Sequence, residues 1–168
     1  MERSRQPKNM RANSLVWFVL TVAVLNAHAE SQVLATKIAN AIRSVEPGWR
    51  YTTGILNAPP PVVPNRPLLD SVWEHTAKNG KPESVDVKIF EVDSRTDAEM
   101  SLSPVREGKV HAGWRVKRFD IGDEGFLGTF RNGKRFAIHF RKGAVVVEVS
   151  SDSFRLAERF ARYVAAQV

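Results

Sequence analysis

The chain has no cysteine. That absence excludes disulfide staples, thiol nucleophiles, cysteine-ligated metal and a lipidated N-terminal cysteine together. Histidine is scarce too, four in 168 residues. No two have the i,i+4 spacing of a helical zinc site, and no His-Glu-x-x-His occurs, so zinc-hydrolase chemistry lacks its usual carrier. Phosphate-loop, dinucleotide and Gly-x-Ser-x-Gly fingerprints are missing as well. Long apolar runs are absent with one exception, Leu15 to Leu25 (LVWFVLTVAVL).

That exception has a context. Arg3, Arg5, Lys8 and Arg11 precede it, and Asn26 and then Ala27-His28-Ala29 follow. A basic segment, a short apolar core and a small-x-small site, in that order, make a cleavable signal peptide. A membrane anchor would need about 20 apolar residues, and here polar Glu30, Ser31 and Gln32 follow at once. Residues 1–29 are therefore expected to be removed, placing residues 30–168 in a periplasm or outside the cell with no membrane span after processing. Of the 25 basic and 18 acidic side chains, four and one lie in the leader, so the formal charge falls from +7 to +4 on processing. A balance that small attracts anionic partners only weakly.

The mature segment is long enough for one domain with its own core, and the 43% hydrophobic content is ordinary for a globular protein. Residues 31 to 45 read as an amphipathic helix, with Leu34, Ile38, Ala41, Ile42 and Val45 on one face and Pro47-Gly48 as its stop. Trp49 to Ile55 reads as a short strand. Residues 58–67 hold five prolines, which lack N–H donors and fix φ, so an extended surface connection is expected. Leu69 to Ala77 and Ser84 to Val92 read as a hairpin around Asn79-Gly80. Ser94, three residues before Asp97, suggests the cap of a short helix from Arg95 to Leu102 that ends near Pro104.

Four more strands are expected at Trp114–Ile121, Gly125–Phe130, Lys134–Arg141 and Ala144–Ser150, followed by a helix over Ser153–Gln167 capped by Ser151 or Asp152. Its apolar stripe is Phe154, Ala157, Phe160, Ala161 and Val164. Phe136, Ile138 and Phe140 share one strand face with Val145, Val147 and Val149. A Lys142-Gly143 turn would pair Phe140 with Val145 and leave His139 on the other face near Val146. Phe126 and Phe130 join the phenylalanine face only through a three-residue Arg131-Asn132-Gly133 loop with Gly133 left-handed, and that loop is expected. The fold class is α+β: an antiparallel sheet of about five to seven strands, with N- and C-terminal amphipathic helices packed on one face.

Candidate chemistry is thin. Asp120, Asp123 and Glu124 crowd one turn, and paired carboxylates with His139 are a possible acid–base set. The plainer reading is turn chemistry, since acidic side chains bond nearby backbone N–H groups. Of His75, His111 and His139, the last can reach Glu148 or Asp123 across strands, yet a partly buried sheet histidine is the plainer reading. Nine basic residues lie between Lys109 and Lys142, so Trp114, Arg115, Arg135 and Arg141 are candidates for binding a ligand or an anionic polymer. Charged edges that resist aggregation explain the same pattern.

Three stretches, Ile121–Phe126 (IGDEGF), Phe140–Ser150 (FRKGAVVVEVS) and Arg159–Val168 (RFARYVAAQV), resemble a loose group of uncharacterised bacterial exported proteins. In these a Gly-Asp-Glu turn precedes a Phe-Arg-x-Gly-x-Val-Val-x-Val hairpin and a closing helix. The resemblance covers the last third of the chain. It implies a bacterial extracytoplasmic α+β domain and carries no activity, cofactor or catalytic residue.

The expected function is thus that of an exported, non-enzymatic domain that binds a small ligand or an envelope protein, without metal or cofactor and without nucleic acid as partner. The alternatives are a small hydrolase-like or metal-dependent enzyme using Asp120, Asp123 or Glu124 with His139, and a binder of anionic polymers through the basic strands.

Overall fold

A computed structural model of the chain describes residues 33–53 and 68–168. The expected signal peptide and proline-rich connection lie outside the described residues. A helix over residues 33–45 (α1) leads into β1 (Arg50–Thr53), β2 (Leu69–Thr76) and β3 (Pro82–Glu91). A second helix, α2 (Arg95–His111), precedes β4 (Arg115–Arg118), β5 (Glu124–Thr129), β6 (Phe136–Lys142) and β7 (Val145–Ser151), and α3 (Phe154–Ala165) follows. The strands form one antiparallel sheet in the order β1-β2-β3-β7-β6-β5-β4. α2 therefore carries the chain from β3 in the middle to β4 at the far edge. Hairpins then return it until β7 lies against β3.

The expected terminal helices do share one face. α1 buries Ala35, Ile38, Ala39 and Ile42, a stripe turned slightly from the expected one, so that Val45 is exposed. α3 buries Leu156, Ala157, Phe160, Ala161 and Val164. Its cap is Ser153, which accepts from the Leu156 N–H, while Ser151 accepts from the Ser153 N–H one step earlier. Both helices press on Leu69, Trp73, Val85, Val87, Ile89, Ile138, Phe140, Val147 and Val149, and this layer is the main core. Glu46, just past α1, holds the two together by pairing with Arg159 at 3.0 Å and accepting from the Tyr163 hydroxyl at 3.0 Å.

α2 lies on the opposite face and is longer than its sequence suggests. Ser94 caps it as expected, accepting from the Asp97 N–H at 3.1 Å. Pro104, expected to end it, sits inside, and the helix runs on to His111. The carbonyl that loses its donor belongs to Met100, which is 61% exposed, so water can take the place of the missing N–H. The helix closes instead at Gly113, whose φ of +80° suits glycine alone at little cost. Only Ala98 and Leu102 are buried on α2, against Phe126 and Val146 of the sheet.

That second layer corrects the expected strand registers. Phe126 lies opposite His139 and Leu127 opposite Ile138, with four residues, 131–134, between the strand ends that Phe130 and Arg135 close. Gly133 is left-handed as expected, at φ +69°, but the loop is one residue longer than the bulged form. Phe126 consequently faces α2, and Phe130 packs on Trp114 with ring centroids 5.2 Å apart. The expected register assumed a sheet buried on one side, where a Phe126 turned away from the core would meet water. With α2 in place both neighbours are buried, Phe126 at 3% and Leu127 at 4% exposure. In the next hairpin Lys142 pairs with Val145 and Phe140 with Val147 around a Gly143-Ala144 turn, two residues from the expected pairing. A shift of two preserves the face, so the valines still meet the phenylalanine side.

Because a proline inside a helix forfeits a hydrogen bond, Pro104→Ala should raise stability by about 1–3 kcal/mol, part of the intrinsic cost being offset by the freer unfolded chain. Urea unfolding of the two proteins checks this; a lower midpoint for the variant would show that the helix needs the proline ring.

Candidate functional site

His139 stands at the centre of the face beneath α2. The strand period turns it away from Ile138 and Phe140, and the registers set Phe126 on one side of it and Glu148 on the other. The Phe126 ring stacks on the imidazole at 4.7 Å with an interplanar angle of 18°. Glu148 Oε2 approaches Nδ1 to 3.8 Å, and its other oxygen lies 3.6 Å from Lys109 Nζ on α2. That ammonium sits 4.4 Å over the Trp114 ring. A continuous row thus runs Trp114, Lys109, Glu148, His139, Phe126.

The imidazole is 2% exposed, and its Nε2 has no hydrogen-bond partner among the described residues. Burial lowers its pKa from 6.5 to about 4; Glu148 opposes this and Lys109 adds to it. Desolvation wins because a carboxylate at 3.8 Å, itself shared with an ammonium, returns less than the cost of burying a cation. His139 is neutral at neutral pH.

The ring lines a groove of about 450 Å³ between α2 and the sheet. α2 contributes Leu102, Pro104 and Val105, and the strands and the β3–α2 junction contribute Phe90, Val92 and Val146. This is within the size range of small-molecule sites, which combine an apolar lining with a few polar groups. Most of these residues carry no motif. The sequence signal for them was nevertheless present: Val145-Val146-Val147 and Phe126-Leu127 are unbroken apolar runs, which mark strands buried on both faces.

The acidic turn is a different construction. Arg141, 7% exposed at its side chain, donates to Glu99 at 2.8 Å and to Asp123 and Glu124 at 3.4 Å each. Asp123 also accepts the Gly143 N–H at 3.0 Å. That bond, with the nearby Arg95, Arg141 and Lys142 cations, holds its carboxyl below the ordinary carboxylate pKa. Gly122, at φ +63°, keeps its α-carbon so close to the Arg141 carbonyl that an added Cβ would lie 2.4 Å from the oxygen. The turn is a clamp on a buried guanidinium. Its carboxylates and exposed Asp120 line a second cleft of about 380 Å³, whereas His139 lines the α2 groove and pairs with Glu148. The acid–base set of Asp120, Asp123 and Glu124 with His139 is not brought together.

Nor do the basic candidates converge. Arg135 pairs with Asp86, donates to Ser150 at 3.0 Å and approaches Asp152 at 3.6 Å. Arg141 is neutralised as described. Lys142 donates to the Ala165 carbonyl, closing α3. Trp114 belongs to the row under α2, and Arg115 is exposed on the edge strand β4. Among the described residues there is no group of three or more His, Asp or Glu arranged to hold a metal ion, and no helix is long and apolar enough to cross a membrane.

His139 predicts a pH dependence. Its pKa is about 4 when folded and near the ordinary 6.5 when unfolded. Between those values the unfolded chain binds the extra proton, so stability present above pH 6.5 is lost as pH falls toward 4 and changes no further below it. The loss attributable to His139 should be about 3 kcal/mol. Denaturant titrations of wild type and His139→Phe from pH 7 to 4 measure it; equal slopes for the two proteins would refute it.

Comparison of the chain with protein-family models, with curated proteins and with solved structures returned no match.

Proposed function

We propose that this chain is an exported, non-enzymatic domain that holds a small apolar ligand in the groove between α2 and the sheet. One observation carries the reading: a groove of about 450 Å³ between α2 and the sheet is lined chiefly by apolar side chains, with the neutral imidazole of His139 among its residues. The light seating of α2, with two buried side chains, favours the same reading, because such an element separates from its sheet at low cost. The acidic turn supports structure rather than chemistry, since its carboxylates are engaged by Arg141.

Export rests on the leader. The basic residues, apolar core and Ala27-His28-Ala29 site suit removal of residues 1–29 and residence in a periplasm or beyond the cell. Expression of the full chain in a bacterium should yield an extracytoplasmic product whose first residue is Glu30. An intact N-terminus in the cytoplasmic fraction would overturn this part.

Binding is tested with 1-octanol and naphthalene as probes, followed by melting temperature. A ligand at 100 times its Kd adds about 2.7 kcal/mol, which raises the melting temperature by several degrees. Val105 lines the groove from α2 and is 38% exposed, so Val105→Trp should fill the space while leaving the core intact. The shift is expected in wild type and absent from Val105→Trp. No shift with either probe, or an equal shift in both proteins, would reject the groove as the site.

A further inference from the structure

The sheet ends at β4, whose outer side has no neighbouring strand among the described residues. The phase of its pairing is fixed where Phe119 donates its N–H to the Gly125 carbonyl of β5 at 3.0 Å. Lys117 and Arg115, at steps of two from Phe119, turn their backbone groups to β5 in the same way. The N–H and C=O of Val116 and of Arg118 therefore point away from the sheet, and no partner meets them among the described residues.

The side chains give this edge one sign of charge. Arg115, Lys117 and Arg118 are exposed, and none forms an ion pair among the described residues, whereas Lys109, Arg135 and Arg141 all do. Arg106 of α2, unpaired there as well, lines one cleft with Arg118. Asp123 and Glu124 in that cleft are engaged by Arg141, so Asp120 sets a single negative charge against the four cations. Charged edges resist pairing with copies of themselves. A second copy docked on β4 would set the same three cations opposite one another, and like charges so placed are destabilising. The phosphates of a nucleic acid could accept from the two N–H groups but offer no donor to the two carbonyls. A peptide backbone supplies both.

We propose that β4 is a docking edge for an extended acidic segment of another protein, which adds to the sheet as its outermost strand. Acidic residues of that segment stand opposite Arg115 and Lys117 on one face and opposite Arg118 on the other. An apolar residue stands opposite Val116, which packs under α2. The edge is separate from the α2 groove, which no residue of β4 lines.

The test uses the capped peptide Thr-Glu-Glu-Val-Glu-Glu-Thr, which reads the same in either strand direction, and a control with glutamine in place of each glutamate. The acidic peptide should bind the purified protein at least tenfold more tightly than the control, and Lys117→Glu should weaken it at least threefold. At saturation the Val116 and Arg118 amides should gain protection from hydrogen exchange, read residue by residue by NMR. Equal affinity of the two peptides, or indifference to Lys117→Glu, would overturn the proposal. Binding that leaves both amides unprotected would also overturn it, marking attraction by charge without strand addition. No binding of the acidic peptide at millimolar concentration would reject the edge as a site.

Discussion

The contact on which this structure turns is the stack of Phe126 on His139. It exists because β5 and β6 pair in a register that sends Phe126 toward α2 and Leu127 into the main core. Were that hairpin to slip by one residue, the two side chains would exchange faces, since successive residues of a strand point oppositely. His139 would lose its aromatic cover and α2 would lose half of its small seat, which consists of Phe126 and Val146 meeting Ala98 and Leu102. With Leu127 in the main core and Phe126 under α2, the one register serves both faces of the sheet.

Two devices hold that side in place without filling it. Arg141 draws Glu99 of α2 to the Asp123-Glu124 turn, and Lys109 ties the far part of the helix to Glu148. Because the carboxylates are a third to a half exposed, each pair is screened, and their value lies more in position than in energy. Between these two ties the helix spans the sheet on Leu102, Pro104 and Val105. A helix anchored by charge at separated points and lightly packed between them leaves a groove beneath. His139 is at the floor of that groove, kept neutral by burial.

Much of the local architecture was legible. The alternation of Val85, Val87 and Ile89, the Ser94 cap, the Asn79-Gly80 hairpin and the stripe of α3 each follow from interactions between residues close in the chain. Local signals mislead where a distant partner decides. Pro104 reads as a stop because a helix interior disfavours it by about 3 kcal/mol, yet the helix runs through it, and the residue whose carbonyl loses its donor, Met100, is exposed. The site was less legible than the fold. Strand order along the chain brings His139 and Glu148 within reach of each other, whereas the groove lining has no such sign, since Phe90, Val92, Leu102 and Val105 look like ordinary apolar residues until α2 is laid across the sheet.

By itself the sequence determined the helices and strands, the α+β class and which residues share a strand face, because propensity, capping and periodicity act within a few residues. Only the tertiary structure decided the strand partners of His139, the face that α2 covers and the role of the acidic turn. These depend on burial and charge between segments far apart in the chain, such as Glu99 with Arg141 and Lys109 with Glu148. Short-range patterns tell which side of a strand is apolar; they do not tell whether the other side will also be covered, and here that cover created the candidate site.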